Sequence, residues 1–154
     1  TMRQGSHIEM CVAGKEEGEA SFAVHPYIWA QSHRTDVNSP ELQTTLGQNM
    51  PLINVTVPVR PLGDILRDAQ VSYVDFLSID VEGSELEVLE GMDWDIPVHV
   101  IVIECTDGVC ENTATRVKAC RSILKEQGFT FHKTLGCNEV WKNEAFPAER
   151  DKYL

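Results

Sequence analysis

The sequence predicts one α/β domain over residues 1–154, built on a mostly parallel sheet that closes in an antiparallel hairpin. Two apolar runs, Val74–Ile79 and Val98–Ile103, have the length and residue types of strands covered on both faces. Each is followed by a segment of helical period that bridges to the next strand, the pattern of parallel strand pairs. The last two strand-like runs, Phe129–Lys133 and Glu139–Lys142, are separated only by Leu135-Gly136-Cys137-Asn138, which is hairpin spacing.

Taken in order, Ile8–Ala13 and Ala20–Val24 are apolar runs flanking Gly14-Lys15-Glu16-Glu17-Gly18, and they predict two strands joined by that charged turn. Residues 25–51 carry Pro, Ser, Asn, Gln and Thr without a sustained period, which predicts a long surface excursion of the kind that serves a site or a partner. Ile53–Val59 alternates like a half-buried strand, with Pro58 suited to an edge or a strand end. Asn54-Val55-Thr56 within it is formally a glycosylation sequon and reads as chance. Leu62, Ile65, Leu66 and Ala69 then form one apolar stripe of a helix, with Gly63, Asp64, Arg67 and Asp68 on the other faces.

Val74–Ile79 runs directly into Asp80-Val81-Glu82-Gly83-Ser84-Glu85. Ser84 and Glu87 have capping-box spacing, so a helix should start near Ser84 and stop at Gly91, which tolerates a left-handed C-terminal position. Val98–Ile103 also ends in an acid, Glu104. Asn112 or Thr113 can cap a helix with Val117, Cys120, Ile123 and Leu124 inward, Lys118, Arg121 and Lys125 outward, and Gly128 as terminator. Residues 143–154 read as a polar, weakly ordered tail.

Composition narrows the function classes. Thirteen Lys and Arg against 24 Asp and Glu give a net charge of −11, a field that repels nucleic-acid backbones and anionic lipid surfaces. No apolar run approaches the roughly 20 residues of a membrane helix, so no membrane insertion is expected. The N-terminus shows neither a secretory nor a transit pattern. Five cysteines, Cys11, Cys105, Cys110, Cys120 and Cys137, are an odd number without a CxxC, which favours free thiols in a reducing compartment, cytoplasm or organelle interior.

The stretch from Val74 to Gly91, with Ile79-Asp80-Val81-Glu82-Gly83-Ser84-Glu85 at its centre and Val88-Leu89 near its end, resembles the signature of the FkbM methyltransferase family. Cys11-Val12-Ala13-Gly14 with Gly18-Glu19-Ala20-Ser21-Phe22, and Val57–Leu66, resemble the segments of that family that precede it, so the resemblance covers about residues 8–142. It implies a Rossmann-like class I methyltransferase sheet, S-adenosylmethionine as methyl donor and a hydroxyl of a small polar molecule as acceptor. It also implies Ala13 and Asp80 as cofactor contacts.

One departure stands at the front. Members of the family begin with a strand, a glycine-rich turn, a helix and a second strand ending in an acid, and this chain starts after all of these. The glycine turn lets backbone approach the cofactor and the acid holds the ribose hydroxyls. Gly14, Gly18 and Gly83 form no GxGxxG that could replace them. A sheet lacking its first two strands would leave the Val74–Ile79 strand with an open edge, and the expectation is that a protein partner or another segment covers it.

Three acids are the candidate catalytic residues. Asp80 follows a buried strand and can accept a proton from an acceptor hydroxyl, or it can serve only the dipole of the following helix. Glu82 carries the same two readings. Glu104 can line the same crevice or satisfy the Thr106-Asp107-Gly108 turn. The five histidines show no metal-ligand spacing, and His99, inside an apolar strand, reads as a core residue; no metal is expected. Tyr27 and Trp29 read as aromatics packed on their own loop. Two functions stay open: an O-methyltransferase that is not competent as this chain alone, and a non-catalytic methyltransferase-like subunit of a larger assembly.

Overall fold

The structure, a computed structural model, describes residues 10–24, 32–36, 52–104 and 111–146. Their strands form two mixed sheets of four. The first contains β1 (Val12–Gly14), β2 (Gly18–Val24), β3 (His33–Arg34) and β4 (Ile53–Pro61) in the order β1-β4-β2-β3. The second contains β5 (Val74–Ile79), β6 (Val98–Glu104), β7 (Phe129–Leu135) and β8 (Asn138–Asn143) in the order β5-β6-β8-β7. Helices α1 (Leu62–Asp68), α2 (Glu85–Glu90) and α3 (Glu111–Glu126) connect them. None of these helices is long and apolar enough to cross a membrane.

The expected mostly parallel sheet is not what these strands make. Only β1 with β4 and β5 with β6 pair parallel, and the other four pairings are antiparallel. The charged turn joins β1 to β2 as expected, but the two do not pair: β4 inserts between them, matching Val59 to Val12 on one side and to Gly18 on the other. Local pattern makes a strand, but its neighbour is chosen by the sheet as a whole. At Pro58 the strand is locally an edge, because it faces Glu19 while the ladder to β1 starts only at Val59. Within the predicted excursion, His33 and Arg34 return as a strand on β2 and are buried. Tyr27 and Trp29, Ile8 and Glu9, Cys105 and Cys110, and the Thr106–Gly108 turn lie outside the described residues.

The core lies between the second sheet and its helices, where Val88, Leu89, Ile101, Ile103, Leu124 and Trp141 are almost fully buried. Each large apolar side chain removed from water contributes about 1.5–3 kcal/mol. Helix α3 turns Val117, Cys120 and Leu124 inward as its period predicts, and it stops at Gly128, whose φ of +82° suits glycine. The hairpin turn is Gly136-Cys137, with Gly136 at φ +62°. The tail departs from expectation at its start: Phe146 is buried and stacks on His99 at 4.7 Å with planes 3° apart. His99, expected in the core, is only half-buried and holds its place by this ring stack.

Helix α2 begins and ends where predicted, for different reasons. Ser84 is the N-cap residue but makes no capping bond through its side chain. The Glu87 carboxylate pairs instead with Arg116 of α3. Gly91 has an ordinary φ of −90°, so no left-handed cap is formed. Its missing Cβ is needed because that atom would lie 1.9 Å from the carbonyl oxygen of Gly14. Glycine therefore seats α2 directly on β1 and joins the two sheets.

Glu139 of β8 is a buried anchor. It accepts from Arg121 Nε at 2.9 Å and from the indole Nε1 of Trp141 at 3.0 Å, tying α3 to the sheet. Glu139→Ala leaves a buried donor without an acceptor and is expected to cost about 2 kcal/mol, while Glu139→Gln, which keeps an acceptor, is expected to cost about half that. Urea unfolding of both variants checks the order.

Candidate functional site at the carboxyl ends of β5 and β6

Parallel pairing of β5 with β6 sets Ile79 beside Ile103. The next residues, Asp80 and Glu104, therefore leave the sheet side by side, and the loop after Asp80 brings Glu82 to them. The three acids singled out from sequence thus gather at one end of the parallel pair, where open α/β sheets bind ligands. Asp80 is exposed; Glu82 and Glu104 are half-buried.

The loop has an unusual backbone. Glu82 has a φ of +52° and Gly83 a φ of +96°. For a non-glycine residue the left-handed region costs on the order of 1 kcal/mol, so something must hold Glu82 there. Glu85, the first residue of α2, is buried, and a single carboxylate oxygen accepts the N–H groups of Val81 at 3.1 Å and Gly83 at 3.2 Å. Burial raises the Glu85 carboxyl, while these backbone donors oppose the shift.

Burial also raises Glu82, to about 7, with the charges of Glu104, Asp80 and Glu85 adding to the shift. A carboxyl poised near neutrality beside other carboxylates is a group able to take up and release a proton. Cys137, at the tip of the β7–β8 turn, joins the cluster because Glu104 and Asn138 are paired across β6 and β8. Its thiol hydrogen-bonds the Glu104 side chain, which raises the thiol above its ordinary value. Among the described residues no group of three or more His, Cys, Asp or Glu is arranged to hold a metal ion.

Glu85 and Cys137 are the members that sequence reasoning missed. The sequence alone assigns Glu85 no role, although its place two residues beyond Gly83 is where a side chain can reach back to loop amides. Cys137 becomes a neighbour only through hairpin register. Ala13, the other expected cofactor contact, is half-buried and packs against the core next to Gly14. It is not part of the acid cluster. A shallow cleft of about 250 Å3 opens at the β1–β2 turn, lined by Lys15, Glu16, Glu19, Arg34, Val59 and Glu87 among others, and none of the predicted site residues lines it.

Fold and site define a mixed α/β domain with a cluster of acids at the carboxyl ends of its parallel strands. The chain belongs to the FkbM methyltransferase family, since residues 3–131 match the Methyltransferase FkbM domain. It is similar to "Methyltransferase 1" of Beauveria bassiana (strain ARSEF 2860), 26% identical over 136 residues that cover 81% of this chain and 52% of that protein. It is also similar to "Methyltransferase sdnD" of Sordaria araneosa, 38% identical over 61 residues that cover 32% of this chain and 24% of that protein. The chain thus spans about half the length of the first relative and a quarter of the second. No solved structure matches it.

Proposed function

We propose that this domain is part of an S-adenosylmethionine-dependent O-methyltransferase acting on a hydroxyl of a small polar molecule, with Glu82 as proton acceptor. The observation that carries the reading is the convergence of Asp80, Glu82 and Glu104 at the ends of adjacent parallel strands. The order β5-β6-β8-β7 is consistent with the half of a Rossmann-like methyltransferase sheet that follows its first strands. In this reading the outer edge of β5, where Phe76 is 59% exposed, takes strands from elsewhere in the full protein.

The residues present fit part of the donor molecule. Carboxylates suit the sulfonium cation and ribose hydroxyls, and Asp80, exposed at the strand end, would hold that part. Bound there, S-adenosylmethionine supplies an electrophilic methyl group. The chain's own work is acid–base: Glu82 takes the proton of the acceptor hydroxyl as its oxygen attacks, and Glu104 orients that hydroxyl.

A second reading, a non-catalytic subunit of a protein assembly, draws on the same β5 edge, because an apolar edge strand is a ready surface for another polypeptide. Calorimetric titration of the full chain with S-adenosylhomocysteine separates the two. The enzyme reading expects binding that Asp80→Asn weakens about tenfold, or about 1.4 kcal/mol. No binding with or without its partners would remove that reading, and a stable monomer in sedimentation would count against the assembly.

A further inference from the structure

We infer that Glu85 is the positioning residue of the acidic loop, its carboxylate holding the Val81 and Gly83 amides so that Glu82 faces Asp80 and Glu104. This deepens the proposed function and rests on it where catalysis is concerned, but its physical content concerns the loop alone.

Three observations converge. The Glu85 Oε1 atom accepts both loop amides, at 3.1 and 3.2 Å, and the side chain is buried, so water does not compete for them. The residues spanned by those bonds include Glu82 at positive φ, which costs a non-glycine residue on the order of 1 kcal/mol that the two bonds offset, followed by Gly83, for which positive φ is free. Independently, the hydroxyl of Ser84, 2% exposed, has no hydrogen-bond partner among the described residues. A buried orphan hydroxyl in the same loop marks a place where a bound polar group would be satisfied. It separates this loop from a mere patch of surface acids.

Position and charge can be separated, because both amides bind one oxygen. Glu85→Gln retains an acceptor in the same place and removes the negative charge. Glu85→Ala removes both. The groups facing Glu82 are Asp80 from the end of β5, Glu104 from β6, with Cys137 of the hairpin turn bonded to it, and Glu85 from α2.

The test uses the full chain and needs no turnover. Amide hydrogen exchange at Val81 and Gly83 is expected to match wild type in Glu85→Gln and to be about tenfold faster in Glu85→Ala, the loss of a hydrogen bond of ordinary strength. Carbon NMR titration of the Glu82 carboxyl is expected to move to lower pH in Glu85→Gln, since one like charge has gone. Glu85→Ala removes the same charge and also frees the loop, so it is expected to move that titration further than Glu85→Gln does; equal shifts in the two variants would report charge alone.

Wild-type exchange and an unshifted Glu82 titration in both variants would overturn the inference. If Glu85→Ala does not fold, Glu85→Gln still decides: retained protection of the two amides supports the inference and lost protection overturns it. Should the exchange and titration results hold while wild type binds no S-adenosylhomocysteine, the proposed function fails and the role of Glu85 stands.

Discussion

Gly91→Ala is expected to lower the melting temperature by on the order of 10 °C, a loss of about 3 kcal/mol for a chain of this size. The added Cβ would lie 1.9 Å from the Gly14 carbonyl oxygen, and both sides of that contact are pinned. Gly14 is held in the ladder opposite Pro61, and the Gly91 carbonyl accepts the Gly63 amide at 2.9 Å. Neither backbone can retreat without breaking a bond that another element depends on. Gly14→Ala meets chiefly the Val59 side chain, which can give partway, so its cost should be smaller. Gly18→Ala meets nothing within 4 Å and is the control, with no measurable change. Thermal unfolding followed by circular dichroism ranks the three, and equal losses for Gly91 and Gly18 would refute the account.

That glycine seam also shows where sequence reading stops. The end of α2 was legible at Gly91, because glycine after a helical run is a strong local signal. Its cause was not: a left-handed cap and a close tertiary approach leave the same letter. The Ser84–Glu87 pair likewise has capping spacing, yet Arg116, 29 residues away from Glu87 along the chain, captures the carboxylate. Charge pairing over such a separation leaves no local trace.

The acids at the strand ends were legible for the opposite reason. An apolar parallel strand ends where open α/β sheets bind ligands, so an acid there is placed by strand direction alone, even though β5 is largely exposed, with Phe76 59% exposed. Asp80 and Glu104 needed no more than this. Their adjacency, however, depends on β5 pairing with β6 in the register that sets Ile79 against Ile103. The first sheet eluded the sequence on similar grounds, since nothing local in Ile53–Pro61 says that it divides β1 from β2.

In the proposed reaction, Glu82→Gln is expected to reduce methyl transfer by about 10²–10⁴-fold, the range for loss of a general base, and to abolish a rate increase centred near neutrality. In wild type the carboxyl titrates at about 7 rather than the ordinary 4.5, so the base form is gained as pH rises through neutrality. Because the folded value is raised, the unfolded chain releases the proton first. The stability associated with the protonated carboxyl is therefore complete below pH 4.5 and is lost as pH climbs to about 7. Glutamine cannot ionise and keeps the left-handed backbone burden, so the substitution isolates charge. At pH 8 Glu82→Gln should be more stable than wild type, and at pH 4 nearly equal to it. Urea unfolding at the two values, set beside the pH dependence of turnover, tests one titration by two readouts. A variant that loses activity without gaining stability at pH 8 would break the link between Glu82's environment and its work as a base.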